Sequence, residues 1–298
     1  MRKLIISRYL MTLLVTSIFM VISCHQTSHA LRNDPALHGL CGVDCQTTGL
    51  PNPTPAERLA FEGMTRAYGL ALAPLMLSPA NTIGVNATEA GFSFTSVVLT
   101  DDANTWVSGI NSTVAPVRLS ATRFVLRKGL PYSFELDGQL GYLLDSEIWS
   151  MGGGVKWAVH EAMSAFPVDF SLRGGVSRLL GSSQIDVTTV SFGASLGAQF
   201  GVLRLYNLAP YVSYNPVMIF AGSNTLDATP GLYDPVGSAA STNMGSTGST
   251  AFVFPRREEV IHRVGVGIRL LFGVLRITPE YAWTPHQQDI NVSLGLQL

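Results

Sequence analysis

The chain has 298 residues, of which 47% are hydrophobic and only 13% are charged, and its formal net charge is -1. This charged share is about half that of ordinary soluble proteins, which argues against a typical water-covered surface. The charge balance and the lack of a basic cluster argue against nucleic-acid binding. After the N-terminus, no apolar run reaches the roughly 20 residues of a helical membrane span.

The N-terminal stretch MRKLIISRYLMTLLVTSIFMVISC predicts a secretory signal peptide, because a positively charged start precedes a short apolar core. Two cleavage sites remain open. One gives a signal of residues 1–24 and resembles the lipobox of bacterial lipoproteins, which would make Cys24 a lipidation site. The other follows Ala30 and gives a signal of residues 1–30.

Residues 25–83 are predicted to form a periplasmic linker and one short helix. The first part is polar and rich in proline and glycine, so it reads as a linker rather than a domain. Cys41 and Cys45 lie in this linker, and an oxidising periplasm is expected to join them in a disulfide. Cysteine parity favours the lipidated form of Cys24, because this pair then remains.

The predicted helix begins at a capping box. Thr54 is the expected N-cap, Pro55 occupies the first helical position, and Glu57 can reach back to the Thr54 amide. The helix is expected to end at about Arg66, because the apolar residues 68–81 contain two prolines and look extended. The helix either lies at the membrane surface or enters the barrel, which makes residues 25–83 a possible plug.

From residue 84 onward, apolar and polar residues alternate with a period of two, as in strands with one apolar face. The segment INVSLGLQL at the C-terminus shows the pattern clearly. The pattern predicts long strands of the kind that cross a bilayer rather than the short strands of soluble sheets. The ten predicted strands are residues 84–100, 115–127, 131–143, 147–160, 166–179, 185–200, 202–220, 257–271, 274–284 and 289–298.

The polar face of these strands indicates that the apolar face meets lipid. It is rich in Gly, Ser, Thr and Gln, with scattered charges of both signs, which suits a hydrated lumen. Because unpaired backbone groups are costly in hydrocarbon, a spanning sheet must close. The predicted fold is therefore all-β, a closed antiparallel transmembrane β-barrel of about ten strands (8–12) over residues 84–298. The predicted lumen-lining residues are Glu135, Asp137, Lys156, Asp169, Arg173, Arg263, Arg269, Arg276 and Glu280.

The predicted connections alternate between short periplasmic turns and longer external loops, as in outer-membrane barrels. The longest, residues 221–256, falls on the external side. On these features the chain resembles bacterial outer-membrane β-barrel proteins, although it ends in Leu298 where such barrels typically end in an aromatic residue. The segment LSPANTIG is also similar to the sequence that precedes the barrel in fatty-acid channel proteins.

The resemblance implies a location in the bacterial outer membrane, with outer-membrane lipids and the barrel insertion machinery as partners. The sequence predicts no catalytic residue, cofactor or metal site, and the expected function is a narrow channel or a structural surface protein. A hydrolase is the first alternative, with Asp101, Asp102, His286 and Asp289 as its candidate residues. The second is a receptor or adhesin that acts through residues 221–256.

Overall fold

The computed structural model describes residues 31–40, 53–75, 77–99, 107–110, 112, 114, 116–162, 168–202, 206–224, 226–227, 251–285 and 287–298. These residues form one α-helix, three short 3₁₀ helices and fifteen strands. Within this part of the chain, no helix has both the length and the apolar character that a membrane span requires.

The α-helix, α1, spans Pro55–Leu72. The 3₁₀ helices span Leu37–Leu40, Val107–Gly109 and Val159–Ala162. The strands are β1 (Thr88–Val98), β2 (Arg118–Leu130), β3 (Phe134–Leu143), β4 (Trp149–Trp157), β5 (Asp169–Leu180), β6 (Ile185–Gly197), β7 (Phe200–Val202), β8 (Tyr206–Tyr214), β9 (Val217–Ser223), β10 (Leu226–Asp227), β11 (Ala251–Phe252), β12 (Arg257–Ile261), β13 (Val264–Phe272), β14 (Leu275–Trp283) and β15 (Gln288–Gln297).

Thirteen of these strands form one antiparallel sheet that closes on itself. Their order is β12-β9-β6-β5-β4-β3-β2-β1-β15-β14-β13-β8-β7, and an additional pairing of β6 with β8 completes the ring. β8 and β9 are two halves of one long barrel strand, as are β12 and β13, whereas β7 pairs only with the start of β8. The ring therefore has ten barrel strands, which confirms the predicted fold.

The interruption between β8 and β9 has a local cause. Pro216 has no N–H to donate to a neighbouring strand, so the regular ladder stops there. Hydrogen bonds on either side keep the neighbouring strands together, since Asn215 donates to the carbonyl of Arg263 over 2.8 Å and Phe192 donates to the carbonyl of Pro216 over 3.2 Å. The barrel wall thus stays continuous across the break.

The first and last barrel strands form the seam. β1 pairs with β15 from Glu89 opposite Gln297 to Val98 opposite Gln288. Beyond the ladder, the Leu298 amide donates to the Thr88 carbonyl over 2.8 Å, and the Thr88 amide donates back over 2.9 Å. Because this pairing joins the two ends of the sheet, its backbone groups are satisfied within the ring, as a hydrocarbon surround requires.

The outer face of the barrel is apolar. Phe134 is 36% exposed, Leu172 43%, Val266 57% and Leu294 50%, and all four lie on the outside of the ring. The residues that alternate with them are buried inside; for example, Glu135 is completely buried. This arrangement confirms that the apolar face of the strands is not the core of a soluble sheet.

The two ends of the barrel differ in their connections. At one end, called the short-turn end, residues 131–133 and 273–274 form tight turns. At the other, called the long-loop end, the connections include residues 99–117 and 224–256. Outer-membrane barrels carry short turns on the periplasmic side and long loops outside, so the long-loop end is taken as external.

Two predicted boundaries were wrong. α1 continues beyond Arg66 to Leu72, because residues 68–72 are apolar and Pro74 is the first residue that stops the helix. Tyr132, predicted to lie in a strand that begins at residue 131, lies in the turn between β2 and β3 with a φ of 60° and is 87% exposed. The preceding Pro131 cannot donate to a ladder, which explains why the turn forms there.

Residues 31–40, predicted as part of a periplasmic linker, pack against the long-loop end. Asn33 donates from its backbone to the Asp145 carbonyl over 2.8 Å, and the Leu37 amide donates to the Gln184 side chain over 2.7 Å. Both partners lie in long-loop-end connections. Residues 31–40 are therefore expected on the cell surface.

Surface labelling tests this placement. With Cys41 and Cys45 replaced by serine, Arg32→Cys should react with a membrane-impermeant maleimide on intact cells, because Arg32 is exposed at the long-loop end. Val274→Cys, in the opposite turn and 54% exposed, should react only after permeabilisation. The reverse pattern would contradict the orientation, and protection of both sites on intact cells would contradict the placement of residues 31–40.

Candidate functional site: the plugged lumen

The lumen is filled by the chain's own N-terminal region. α1 lies in the long-loop half, and residues 73–84, called the strap, continue to the short-turn end, where the chain enters β1. α1 and the strap together are called the plug. Met76 lies outside the described residues.

The long-loop half of the lumen is apolar and packs around α1. On the helix, Met64, Ala67 and Tyr68 are completely buried. The inward side chains of the wall at this level are mainly aliphatic, so α1 and the wall form one hydrophobic core. The wall residues are Val97, Leu119, Ala121, Leu143, Ile148, Leu179, Ile185, Val187, Val217, Ile219, Ala221 and Ile261.

The start of α1 has the predicted capping box. The Glu57 amide donates to the Thr54 hydroxyl over 3.3 Å, and the Thr54 amide donates to the Glu57 carboxylate over 2.7 Å. These two bonds satisfy helix N–H groups that have no partner within the helix. The start of the helix is therefore fixed by residues 54–57 themselves, whereas the position of the helix in the lumen depends on packing against the wall.

Ion pairs and one aromatic contact hold α1 at the long-loop end. Arg66 lies 2.7 Å from the Glu259 carboxylate, and Arg257 pairs with Glu62. The rings of Phe61 and Phe254 stack with centroids 4.5 Å apart. These contacts join the helix to β12 and to the residues just before it.

The part of the strap nearer α1 is bound through its backbone carbonyl groups. Arg173 donates to the Leu75 carbonyl over 3.2 Å and Arg127 to the Leu77 carbonyl over 3.3 Å. At the junction with α1, the Arg123 side chain donates to the Ala71 carbonyl. Three guanidinium groups of the wall therefore bind carbonyl oxygens within residues 71–77 of the plug.

The part of the strap nearer the short-turn end is bound by Lys156 and Glu135. The Lys156 ammonium donates to the Ser78 hydroxyl over 2.8 Å and to the Asn81 carbonyl over 2.9 Å. The Ile83 amide donates to the Glu135 carboxylate over 3.2 Å. The strap sequence, APLMLSPANTIG, contains no charged residue, so it offers only backbone groups and neutral polar side chains to the charged wall.

The charges of the wall pair chiefly with one another. In the short-turn half, Glu135 lies 2.9 Å from Lys156, and Asp137 lies 2.8 Å from Arg173. Glu89 joins two strands at once, since it lies 3.1 Å from Arg127 and 2.7 Å from Arg276. Buried ion pairs of this kind are costly to break, because removing one partner leaves a buried charge.

A second group of charges lies on β14, β15 and the break before β13. Arg263 lies 3.0 Å from Asp289 and 3.5 Å from Glu280. The Tyr211 hydroxyl donates to Glu280 over 2.9 Å. These contacts join β8, the break before β13, β14 and β15, which are consecutive segments of the ring on one side of the seam.

The structure places seven of the nine predicted lumen residues in two sets. The first set comprises the interior pairs of the short-turn half, Glu135, Asp137, Lys156, Arg173 and Arg276, and the second comprises Arg263 and Glu280. Arg269 is 3% exposed and has no carboxylate within ion-pairing distance among the described residues. Asp169 is half-buried at the start of β5.

Sequence reasoning missed four other buried charged residues of the described wall and one buried tyrosine. They are the polar or charged residues Glu89, Arg123, Arg127, Tyr211 and Asp289. The period of two could have found four of them, because Glu89, Arg123, Arg127 and Asp289 alternate with exposed or half-exposed neighbours in their strands. Tyr211 carried no such signal, since a tyrosine fits either face of a membrane strand.

The other predicted sites have different outcomes. Cys24, Cys41, Cys45, Asp101, Asp102 and His286 lie outside the described residues. Asp289, considered as a hydrolase residue on a loop, is instead 1% exposed and paired with Arg263 inside the barrel. Most of residues 221–256 are also outside the described part, although β10 pairs with β11 within this predicted loop.

The ten-stranded closed ring, its apolar outer face and its charged interior define a bacterial outer-membrane β-barrel protein. Closure gives each of the ten barrel strands a paired neighbour on both sides, and the outward side chains match a hydrocarbon surround. The plug is an additional feature of this chain within that class.

Structural comparison finds other barrels with low overall similarity. Ail, the attachment invasion locus protein of Yersinia pestis, has a TM-score of 0.29 and 8% identity over 72% of this chain and 100% of Ail. LpxR from Salmonella typhimurium has a TM-score of 0.33 and 10% identity over 70% and 99%. An outer membrane channel from Pseudomonas putida has a TM-score of 0.29 and 8% identity over 74% and 98%. No protein-family model and no curated protein matches the chain.

Proposed function

We propose that the protein is a non-enzymatic outer-membrane channel that the plug closes. In the described structure, α1 fills the long-loop half of the lumen and the strap fills the short-turn half. Small solutes would cross only when α1 and the strap both move away from the wall.

The observation that carries this proposal is that the wall pairs its own charges. The ion pairs of Glu135, Asp137 and Glu89 all join one barrel strand to another. Displacement of the strap leaves these pairs in place. The hydrogen bonds that it breaks end on carbonyl oxygens and wall donors that water in an opened lumen can satisfy. A purely structural strap would be expected to supply charges to the wall, whereas the charges that the plug supplies, Arg66 and Glu62, lie on α1 and pair with β12 at the long-loop end.

A reversible disulfide tests the gating role of the strap. The position of a Cβ atom at Gly175 lies 3.2 Å from the Cβ of Pro74, so a shift of a few tenths of an ångström gives the separation found in disulfides. The variant Pro74→Cys/Gly175→Cys, with Cys41 and Cys45 replaced by serine, should therefore lock the strap to β5.

In planar bilayers, the unmodified protein should show brief openings separated by long closed periods. The locked variant should be silent, and a reductant should restore its openings. The matched control is Pro74→Cys alone, which should respond to neither oxidant nor reductant. Persistent absence of openings in the unmodified protein, or equal conductance of the locked and reduced forms, would contradict the proposal.

A further inference from the structure

We infer that the open lumen conducts anions in preference to cations, an inference that rests on the proposed channel function. The described part of the wall buries seven cationic side chains and five carboxylates. The cations are Arg123, Arg127, Lys156, Arg173, Arg263, Arg269 and Arg276, and the carboxylates are Glu89, Glu135, Asp137, Glu280 and Asp289. Half-buried Asp169 does not reverse this excess.

The carboxylates are already neutralised within the wall. Glu135, Asp137 and Glu89 each lie within 3.1 Å of a cationic side chain on another barrel strand. Glu280 and Asp289 share Arg263. A permeating cation would therefore have to compete with a fixed guanidinium or ammonium group for each carboxylate.

Within the described residues, two of the cations have no such partner. Arg123 donates to the Thr95 hydroxyl over 2.7 Å and to the Ala71 carbonyl of the plug. Neither Arg123 nor Arg269 lies within 4.0 Å of a carboxylate oxygen in the described part of the chain. Their positive charge is thus available to a solute in the lumen.

The hydrogen bonds between the wall and the plug also favour anions. Four cationic side chains, those of Arg123, Arg127, Lys156 and Arg173, donate to carbonyl oxygens of residues 71–81. Among the buried carboxylates, Glu135 accepts a hydrogen bond from the strap. The plug therefore occupies a path lined mainly by donors, and its displacement exposes those donors to the solute.

An anion satisfies these donors better than water does, because hydrogen bonds between charged groups are shorter and stronger than neutral ones. In a narrow lumen with low-dielectric walls, an excess of one sign of charge also attracts the opposite ion. Rings of Arg and Lys select anions in other pores by the same physics. Small anions are therefore the substrate class that the wall favours.

Reversal potentials measured in a KCl gradient test the inference on the openings of the unmodified protein. We expect chloride to be more permeant than potassium. Arg123→Gln and Arg269→Gln should each lower the chloride-to-potassium permeability ratio roughly twofold, because they remove charge without leaving a carboxylate unpaired. Arg269→Lys keeps the charge and should keep the ratio.

The control variant is Arg178→Gln, whose side chain is 62% exposed on the outer face and pairs with Asp186. It should leave the ratio unchanged. Heat-modifiable migration on a gel identifies the variants that form closed barrels, and only these are compared. Openings that prefer potassium, or a ratio that both glutamine variants leave unchanged, overturn the inference while the channel function stands. Absence of openings in the unmodified protein overturns the proposed function itself.

Discussion

Replacing Glu135 with glutamine is expected to lower the free energy of unfolding of the barrel by about 3–5 kcal/mol, the cost of breaking a buried ion pair by removing one partner. Glu135 is completely buried and lies 2.9 Å from Lys156. Glutamine has nearly the same shape and can still accept the hydrogen bond from the Ile83 amide. The loss therefore measures the charge of Glu135 rather than its packing.

Urea unfolding of the protein in lipid vesicles measures this change. The matched control is Asp186→Asn, because the Asp186 side chain is 41% exposed and its pair with Arg178 spans a similar 3.0 Å. An exposed pair of this kind contributes no more than about 1 kcal/mol. Equal effects of the two substitutions would show that the lumen is hydrated enough to screen its charges.

A second substitution, at Lys156, measures how strongly the stabilities contributed by Glu135 and Lys156 depend on each other. Lys156→Met removes the cation that Glu135→Gln leaves unpaired, so the double variant should recover part of the lost stability. If the two effects simply add, Lys156 does not depend on Glu135 for neutralisation. In that case the wall would not be charge-paired in the way that the distances indicate.

The substitution Gly91→Val is expected to prevent normal closure of the barrel. A Cβ atom at Gly91 would lie 2.3 Å from the Leu294 carbonyl oxygen and 2.7 Å from the Cα of Gly295. Both are backbone atoms of β15, so no side chain can rotate away. Overpacking of this kind costs about 1–3 kcal/mol in a core and sometimes more, and here it acts on the seam between β1 and β15.

Heat-modifiable migration checks this prediction, since a closed barrel resists unfolding in detergent until it is boiled. The unboiled Gly91→Val protein should migrate largely as the unfolded form. Gly138→Val is the matched control, because a Cβ atom there meets nothing within 4 Å. Normal migration of both variants would mean that β1 and β15 can separate without loss of the ring.

The sequence was sufficient to predict the barrel because lipid and lumen impose opposite demands on alternate residues. Phe134 and Leu136 are both at least 36% exposed, and Glu135 between them is buried. The period of two therefore predicts both that the segment is a strand and which of its side chains face the lipid. The ten predicted strands all overlap the ten barrel strands, although the breaks at Pro216 and His262 were not predicted.

The division of the lumen into two halves could not be predicted from that pattern. Leu119 and Ala121 point inward in the long-loop half of β2, whereas Arg123 and Arg127 point inward farther along the same strand. An apolar inward residue looks like a lipid-facing one unless the helix that covers it is known. The polar half was therefore predicted, and the apolar half that receives α1 was missed.

Which buried carboxylate pairs with which cation also could not be predicted from the sequence. Glu89 pairs with Arg276 because β1, β15 and β14 lie side by side after closure. These residues are far apart in the chain, and their register depends on the whole ring. Composition alone gives the signs of the charges, whereas the pairing follows from the register.

The path of the plug constrains how the molecule can be assembled. Residues 31–40 lie at one mouth of the ring and the strap leaves by the other. A completed cylinder cannot admit a folded helix through its side. Assembly in which α1 is seated before β15 docks on β1 avoids this barrier, and closure of the ring then encloses the helix.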